Sequence, residues 1–344
     1  MTRVLVLMGG RSGEHDVSLV SARGVLGALA EGGLDATPVL IDRDGAWTRD
    51  GRPVMLGPGP DGRGVLMPLD GGEPEPVDVV FPVLHGPNGE DGTVQGLCEM
   101  ARIPYVGAGV AASAVAMDKA LFKALAMGHD LPVAEAVVIG PSDWDGQPDA
   151  VRRQVAQVVG YPCFCKPARL GSSVGISKVD AADGLAAAVA LALEHDATVL
   201  IERAVPSPRE LEVGVLGAPG DVVVSPPGEI TYDADWYDYE TKYTAGRAEV
   251  TIPAAAEPAL AQRLRGLAEA AFEMVGCHGL ARVDFLVDPS GAVFVSELNT
   301  MPGFTPTSAY PSLMAAAGVP YTELVTRLIE LAMGRHQRHA VLRR

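Results

Sequence analysis

Four side chains near the C-terminal end stand at spacings that suit catalysis: Arg282, Asp284, Glu297 and Asn299. They lie in the stretch LARVDFLVDPSGAVFVSELNTMPGFTPTS, Leu280 to Ser308. Residues 282–287 alternate in character, Asp288-Pro289-Ser290-Gly291 is strong turn chemistry, and a second apolar run covers Ala292 to Leu298. The pattern predicts a β-hairpin. If those turn residues are the whole loop, Val287 faces Ala292 and Arg282 faces Glu297. Side chains alternate along a strand, so Arg282, Asp284, Glu297 and Asn299 then share one face, with Val283, Phe285, Ser296 and Leu298 on the other. Oxygen donors gathered this way suit magnesium, a hard cation that takes carboxylates and shares its shell with phosphate oxygens. The plainer alternative is a solvated face with an ordinary Arg282–Glu297 ion pair. The Gly, Pro, Thr and Ser residues just after Asn299 favour a substrate-gripping loop at the strand end.

A second candidate is Lys166, near the end of a predicted strand Tyr161 to Pro167. It leads into Ala168-Arg169-Leu170-Gly171-Ser172-Ser173-Val174-Gly175, after which Ile176 to Val179 resumes as a strand. A lysine before a Gly/Ser hairpin loop supplies a point charge, backbone N–H groups and hydroxyls for a phosphate. The lysine precedes the glycines, so this is not a Walker P-loop; a plain hairpin turn is the alternative. At the N-terminus, strand Arg3 to Met8, a Gly-rich turn holding Glu14, and a helix from about Val17 to Ala30 open a βαβ unit. The turn is not GxGxxG, so dinucleotide binding is not indicated. Asp16 is the expected N-cap, and Glu14 lies near the helix's positive end. A third strand, Val77 to Leu84, runs into HGPNGEDGTVQG, placing His85 where open α/β sheets form their ligand crevice.

The elements that must hold these groups follow from the rest of the chain. Strand Ala36 to Ile41 precedes a Gly/Pro-rich stretch to about Pro76, read as loop or short hairpins. Ile103 to Val106 is expected as a fourth strand. Val110 to Met127 is expected to be helical and carries Lys119 in MDKALFK. Apolar strands hold Glu202 (Val199 to Ala204) and Glu210 with Glu212 (Arg209 to Leu216). Ser225 to Gly246, containing YDYETKY, is too aromatic for a linker and is expected to form an ordered lid. A long helix, Pro258 to Val275, precedes the hairpin. The chain ends in a helix, Tyr321 to Met333, and a frayed basic tail.

With 344 residues, two or three domains are expected. The balance of 27 basic and 43 acidic residues, a formal charge of −16, argues against nucleic acid and anionic membrane surfaces. Anionic ligands must then be held by local positive groups. No apolar run approaches a membrane span, and the N-terminus reads as a strand and a Gly turn rather than a signal peptide. Cys98, Cys163, Cys165 and Cys277 lack zinc spacing and are read as reduced thiols in a cytoplasmic protein.

Taken together, GGRSGEHDVSLVSA, HGPNGEDGTVQG, the MDK lysine, KPARLGSSVG, YDYETKY, RVDF and ELNTMPGFTPTS resemble the D-alanine–D-alanine ligases of the ATP-grasp superfamily, from about Val4 to Met333. The resemblance implies a mixed α/β and α+β protein: an N-terminal open α/β substrate domain (1–107), a central ATP-grasp lobe (108–204) and a C-terminal lobe with lid and metal site (205–344). It implies that Lys119, Lys166 and Lys242 hold ATP phosphates under the Ser172–Ser173 loop. Glu202 and the backbone near Val205 would meet adenine, and Glu210 the ribose. Asp284, Glu297 and Asn299 would bind two Mg2+ ions, with Glu297 bridging and Mn2+ able to substitute. Arg282 and the N–H of Gly303 would cradle an oxyanion. Glu14 would fix the ammonium of a first D-alanine, linked to Ser172 and Tyr243, with His85 beside it. Ser308 would hold the second D-alanine's carboxylate. The implied reaction joins two D-alanines through an acyl phosphate for peptidoglycan precursor synthesis, in a homodimer paired through its N-terminal region. D-alanine–D-lactate ligases are the nearest alternative, disfavoured by the Lys242-Tyr243 pair; a non-catalytic ATP-binding regulator is the other. Departures are small: Leu170 stands where many relatives carry an acid, and Ala309, Tyr310 and residues 57–76 fall where relatives vary.

Overall fold

The computed structural model describes residues 2–171, 173–233 and 247–342. Among them the strands form three sheets. In the first, Arg3–Gly9 pairs in parallel with Asp35–Ile41 on one side and Val79–Pro82 on the other. Its first strand is apolar at successive positions because both faces are covered. Val4 and Val6 enter a core with the helices His15–Glu31 and Tyr321–Leu342, whereas Leu5 and Leu7 pack with the helix Thr93–Ala101. Gly9 ends the strand at φ +88°, and a Cβ there would lie 2.3 Å from the Ile41 carbonyl oxygen. Only glycine lets the chain turn so close to its neighbour.

Of the two forms expected for the stretch before Pro76, loop or short hairpins, it takes the second, with successive hairpins joined into a meander. Trp47–Arg49, Arg52–Pro58, Gly64–Pro68 and Glu75–Pro76 continue the first sheet antiparallel. Their short alternating segments are interrupted by glycines and prolines, which hides the period in the sequence. Ile103 to Val106 is no full strand; it makes an isolated parallel bridge, Val80 to Tyr105. The expected long helix is two, Val110–Met117 and Lys119–Gly128. Asp118 breaks it by capping the second, accepting from the N–H groups of Ala120 and Leu121 at 3.0 Å each. Asp16 does not cap the first helix. It lies one residue inside, paired with Arg43, and Glu14 occupies the cap position. The C-terminal tail is helical to Leu342 rather than frayed.

The second sheet, Ser177–Val179, Cys163–Pro167, Val199–Arg203 and Ala136–Ile139, is antiparallel and packs on the helices Pro148–Val158 and Leu185–Leu193. The third centres on Arg209–Ala218 and Gly279–Val287, with Val293–Asn299, Gly228–Tyr232 and Ala248–Thr251 outward and Asp221–Val224 attached. Its buried face meets the helices Val110–Met117, Lys119–Gly128 and Pro258–Met274. The cysteines are free and buried, as their spacing implies.

Candidate active site

The 279–299 hairpin forms, but its register differs from the simple four-residue turn. Val287 pairs with Val293, Phe285 with Val295, and Asp284 with Glu297. The two sides slip between Asp284 and Phe285, leaving Ser296 as an extra residue. This bulge is required by the core. Val293 and Val295 are buried with Val283, Phe285 and Leu298. Strict alternation would have turned them onto the same face as Glu297. The bulge resets the phase, so Arg282, Asp284, Glu297 and Asn299 share a face although Arg282 pairs with Asn299 rather than Glu297.

On that face Arg282 holds Asp284 through two parallel bonds of 2.7 Å and reaches Glu212 Oε1 at 3.1 Å. The plain Arg282–Glu297 ion pair is therefore not what forms. Asn299 Nδ2 donates to Asp284 Oδ2 at 2.9 Å. Burial works against the guanidinium charge, but Asp284 and Glu212 outweigh it and keep Arg282 charged. Register aligns Glu212, Asp284 and Glu297 across three adjacent strands. Among the described residues no three His, Cys, Asp or Glu side chains are gathered as a ready-made metal cage. Two carboxylates and an amide oxygen instead suit a cation that completes its shell with water and phosphate oxygens, which is magnesium's habit.

The facing wall is cationic. Lys119 opens its helix and reaches both the Leu170 carbonyl (2.8 Å) and Glu297 Oε2 (3.3 Å), joining the Gly/Ser loop to the hairpin. One turn on, Lys123 binds Glu202 Oε1 at 2.5 Å and the Ala134 carbonyl at 2.9 Å. Lys166 holds the other Glu202 oxygen. Burial raises the Glu202 pKa, but Lys166 and Lys123 prevail and bring it to about 2. Burial opposes the Lys166 charge, and Glu202, Glu297 and Glu210 restore it. Between the walls lies a cleft of about 800 Å³, also lined by Ser173, Val205, Glu210 and Tyr232.

The N-terminal sheet closes a third side. Gly86 has φ +72°, and a Cβ there would sit 2.6 Å from Glu14 Oε2; one on Gly171 would lie 3.2 Å from the same oxygen. Glu14 therefore lies between the HGPNGEDG turn and the Gly/Ser loop. His85 is buried, with Nδ1 2.9 Å from the Met301 carbonyl and Nε2 3.1 Å from Ser21 Oγ. The carbonyl can only accept, so Nδ1 carries the proton and Nε2 accepts from Ser21. Burial lowers the His85 pKa and favours this neutral ring. Ser21 in turn receives the N–H of Phe304 at 3.2 Å. Glu90 accepts from the N–H groups of Gly86 (2.7 Å) and Met301 (3.4 Å), and its pKa is pushed up to about 8 by burial and by Glu14. Ser308 Oγ is 2.7 Å from Thr305 Oγ1, and its Cβ and Oγ border the open side of Gly303.

Two family models match the chain: "D-ala D-ala ligase N-terminus" over residues 3–108 and "D-ala D-ala ligase C-terminus" over residues 125–330. The chain belongs to the D-alanine–D-alanine ligase family. It is 51% identical over 337 residues to a Deinococcus radiodurans D-alanine–D-alanine ligase, covering 96% of this chain and 98% of that one. Among solved structures it resembles the Coxiella burnetii D-alanine–D-alanine ligase (TM-score 0.87, 32% identity, 99% and 96% covered). It also resembles the VanG D-Ala:D-Ser ligase of Enterococcus faecalis (TM-score 0.86, 33% identity, 96% and 99% covered).

In this member of the D-alanine–D-alanine ligase family, the structure gathers Lys119, Lys166, Ser173, Glu202, Val205, Glu210, Arg282, Asp284 and Glu297 around one cleft. Glu14, His85, Gly303 and Ser308 come from the flanking junction, and Asn299 from the hairpin edge. Ser172, Lys242 and Tyr243 lie outside the described residues. Four participants escaped sequence reasoning: Lys123, Glu212, Glu90 and Tyr232. Glu212 had a signal, because Glu210 and Glu212 alternate around Leu211 in a strand that carries no charge from Val213 onward. Lys123 had the spacing of one helical turn from Lys119. Among the described residues no helix is long and apolar enough to cross a membrane.

Proposed function

We propose that this chain uses ATP to join two D-alanines into D-alanyl-D-alanine, the dipeptide of peptidoglycan precursors. A carboxylate is a poor electrophile, and it must approach a triphosphate of the same sign. The chain's overall charge of −16 opposes both. The observation that carries the reading is a cluster of cations gathered against the oxygen donors of one cleft. Lys119, Lys123, Lys166 and Arg282 face the cleft, and Lys119 stands 3.3 Å from Glu297 of the oxygen-donor hairpin.

In this reading Lys119 and Lys166, with Lys242 and the Ser172–Ser173 loop, hold the phosphates, while Val205 and Glu202 meet the adenine end and Glu210 the ribose. Asp284, Glu297 and Asn299 hold two Mg2+ ions, for which Mn2+ can stand in. When bound, the metal neutralises phosphate charge during phosphoryl transfer. Glu14 receives the first D-alanine's ammonium beside His85, with Tyr243 and Ser172 linked to it. That D-alanine's carboxylate oxygen attacks the γ-phosphorus as the bond to ADP breaks, giving an acyl phosphate. Ser308 orients the second D-alanine. Its neutral amine then attacks the acyl carbon, and Arg282 with the Gly303 N–H stabilises the tetrahedral oxyanion. Phosphate leaves carrying the proton that the amine nitrogen gives up as the dipeptide forms, and a closed site excludes water that would hydrolyse the intermediate. The chain works as a homodimer through its N-terminal region and divides into 1–107, 108–204 and 205–344.

The test is ADP release with product mass spectrometry, using D-alanine alone and paired with D-serine, D-lactate or L-alanine. D-alanine-dependent ADP release with D-alanyl-D-alanine as the main product is expected. Preferential ester formation with D-lactate, or ATP turnover indifferent to D-alanine, would overturn the reading. Light scattering on the purified chain tests the dimer.

A further inference from the structure

Tyr232 is the last residue of the strand Gly228–Tyr232. That strand runs antiparallel to Arg209–Ala218, with Glu210 opposite Ile230. Opposed residues present their side chains to one face, and two-residue periodicity adds Tyr232 to it. The diagonal is within reach of an aromatic side chain. The phenol O–H of Tyr232 donates to Glu210 Oε1 at 2.6 Å, the length of a charge-assisted bond. Ile230, Tyr232 and Glu210 all line the cleft. Glu210 also acts electrostatically on Lys166.

We infer that Tyr232 is a positioning residue for nucleotide selection, fixing the Glu210 carboxylate in the orientation that meets the vicinal hydroxyls of a ribose. A glutamate side chain gives up much rotamer freedom when it is ordered. The phenol restricts that freedom before nucleotide arrives, and its bond sets where the carboxylate's other acceptor positions point. Discrimination then depends on the pair: a site arranged for hydroxyl donors penalises a nucleotide that lacks them. The inference rests on the reading of Glu210 as the ribose contact. Phenylalanine keeps the ring and its packing and removes only the donor.

The test compares ATP with 2′,3′-dideoxy-ATP as substrates of the full chain, with D-alanine saturating, for the wild type, Tyr232→Phe and Glu210→Gln. Loss of a bond to a charged group corresponds to about tenfold or more. Tyr232→Phe is expected to raise KM for ATP by about that factor. Its kcat, its KM for D-alanine and its KM for dideoxy-ATP should stay as in the wild type, so the preference for ATP shrinks. Equal shifts for both nucleotides, or no shift, would overturn the inference, because a merely structural role does not read the sugar. If Glu210→Gln also keeps the wild-type ratio, the ribose assignment itself fails. If Glu210→Gln loses the ratio and Tyr232→Phe does not, only the role of Tyr232 fails.

Discussion

Lys123→Met isolates the buried cation that holds Glu202 from behind. Lys123 and Glu202 are each 7% exposed at the side chain, so water does little to screen them. The Glu202 pKa is brought from its ordinary 4.5 to about 2: burial pushes it up, and Lys166 and Lys123 more than reverse that. At about 1.36 kcal/mol per pH unit, the net depression is on the order of 3 kcal/mol, which is what remains of the two lysines' attraction after burial has opposed it. Losing Lys123 removes at least half of this, because the burial penalty stays, and leaving the Ala134 carbonyl without its donor adds about 1 kcal/mol. The sum, about 3 kcal/mol, matches the lower end of the cost of breaking a buried ion pair. With an unfolding entropy of about 2.1 cal/mol/K per residue over 344 residues, each kcal/mol moves Tm by about 1.4 °C, so Tm should fall by about 4 °C. The sign with pH is fixed. A carboxylate whose pKa is depressed by folding adds stability above about 4.5, and that stability disappears as pH falls towards about 2. The acid loss should therefore be shallower in Lys123→Met. Thermal melts of the single variants, Glu202→Gln and the double variant, at pH 7 and along an acid series, measure this. The double variant should lose clearly less than the sum of the singles, since Glu202→Gln already removes the charge that Lys123 pairs with, while Lys166 keeps Glu297 and Glu210 nearby in every variant. A Tm change below about 1 °C in Lys123→Met, or strict additivity, would refute the reasoning.

Glu297→Gln removes the carboxylate that Lys119 contacts across the cleft, and kcat should fall by at least about a hundredfold in ADP-release assays at saturating magnesium; near-normal turnover would remove Glu297 from the metal set. Glu90 titrates in the opposite sense to Glu202. Its pKa is raised to about 8, first by burial and then by Glu14. The stability tied to its proton is complete below about pH 4.5 and is lost as pH rises through about 8. Glu90→Gln cannot ionise, so the decline in Tm between pH 6 and 9 should flatten, by about 2–3 kcal/mol across the window; melts at those pH values with an unchanged slope would show that Glu90 does not set it.

Most helices and most sheet strands were legible because their periods are long and their ends carry Gly, Pro or capping residues; the short helices Pro141–Gly146 and Ala309–Ala316 were not. The helix split at Asp118 was not, because apolar spacing runs through the break and only the cap marks it. The bulge at Ser296 was hidden for a related reason. A single extra residue changes the phase of alternation, and Val293 and Val295 look equally apolar in either register. Their burial against Val283 and Phe285 decides it, and that requires the folded sheet. Charged site residues were visible where glycines or a turn bracketed them, as with Glu14, His85 and Lys166. Tyr232 and Lys123 were not, because their role lies in a partner distant in the chain: Glu210 for one, Glu202 for the other.

That dependence on distant partners is strongest in the 300–308 loop. Gly303 carries no side chain to fix it, so its position follows from its neighbours. Both backbone polar groups of Met301 bond to the N-terminal part, the carbonyl to His85 and the N–H to Glu90. On the other side, the Phe304 N–H bonds to Ser21, and its ring packs against Phe81, Tyr310 and Tyr321 at centroid distances of 5.7–6.0 Å. Two flanking anchors with rigid, buried partners leave Gly303 little freedom, which is the condition for a preorganised backbone donor. The motif HGPNGEDG and the motif ELNTMPGF are thus two halves of one mechanical unit, separated by over 200 positions in the chain. A change at Ser21 or His85 should therefore displace an amide neither residue touches, and kcat should suffer before nucleotide affinity does.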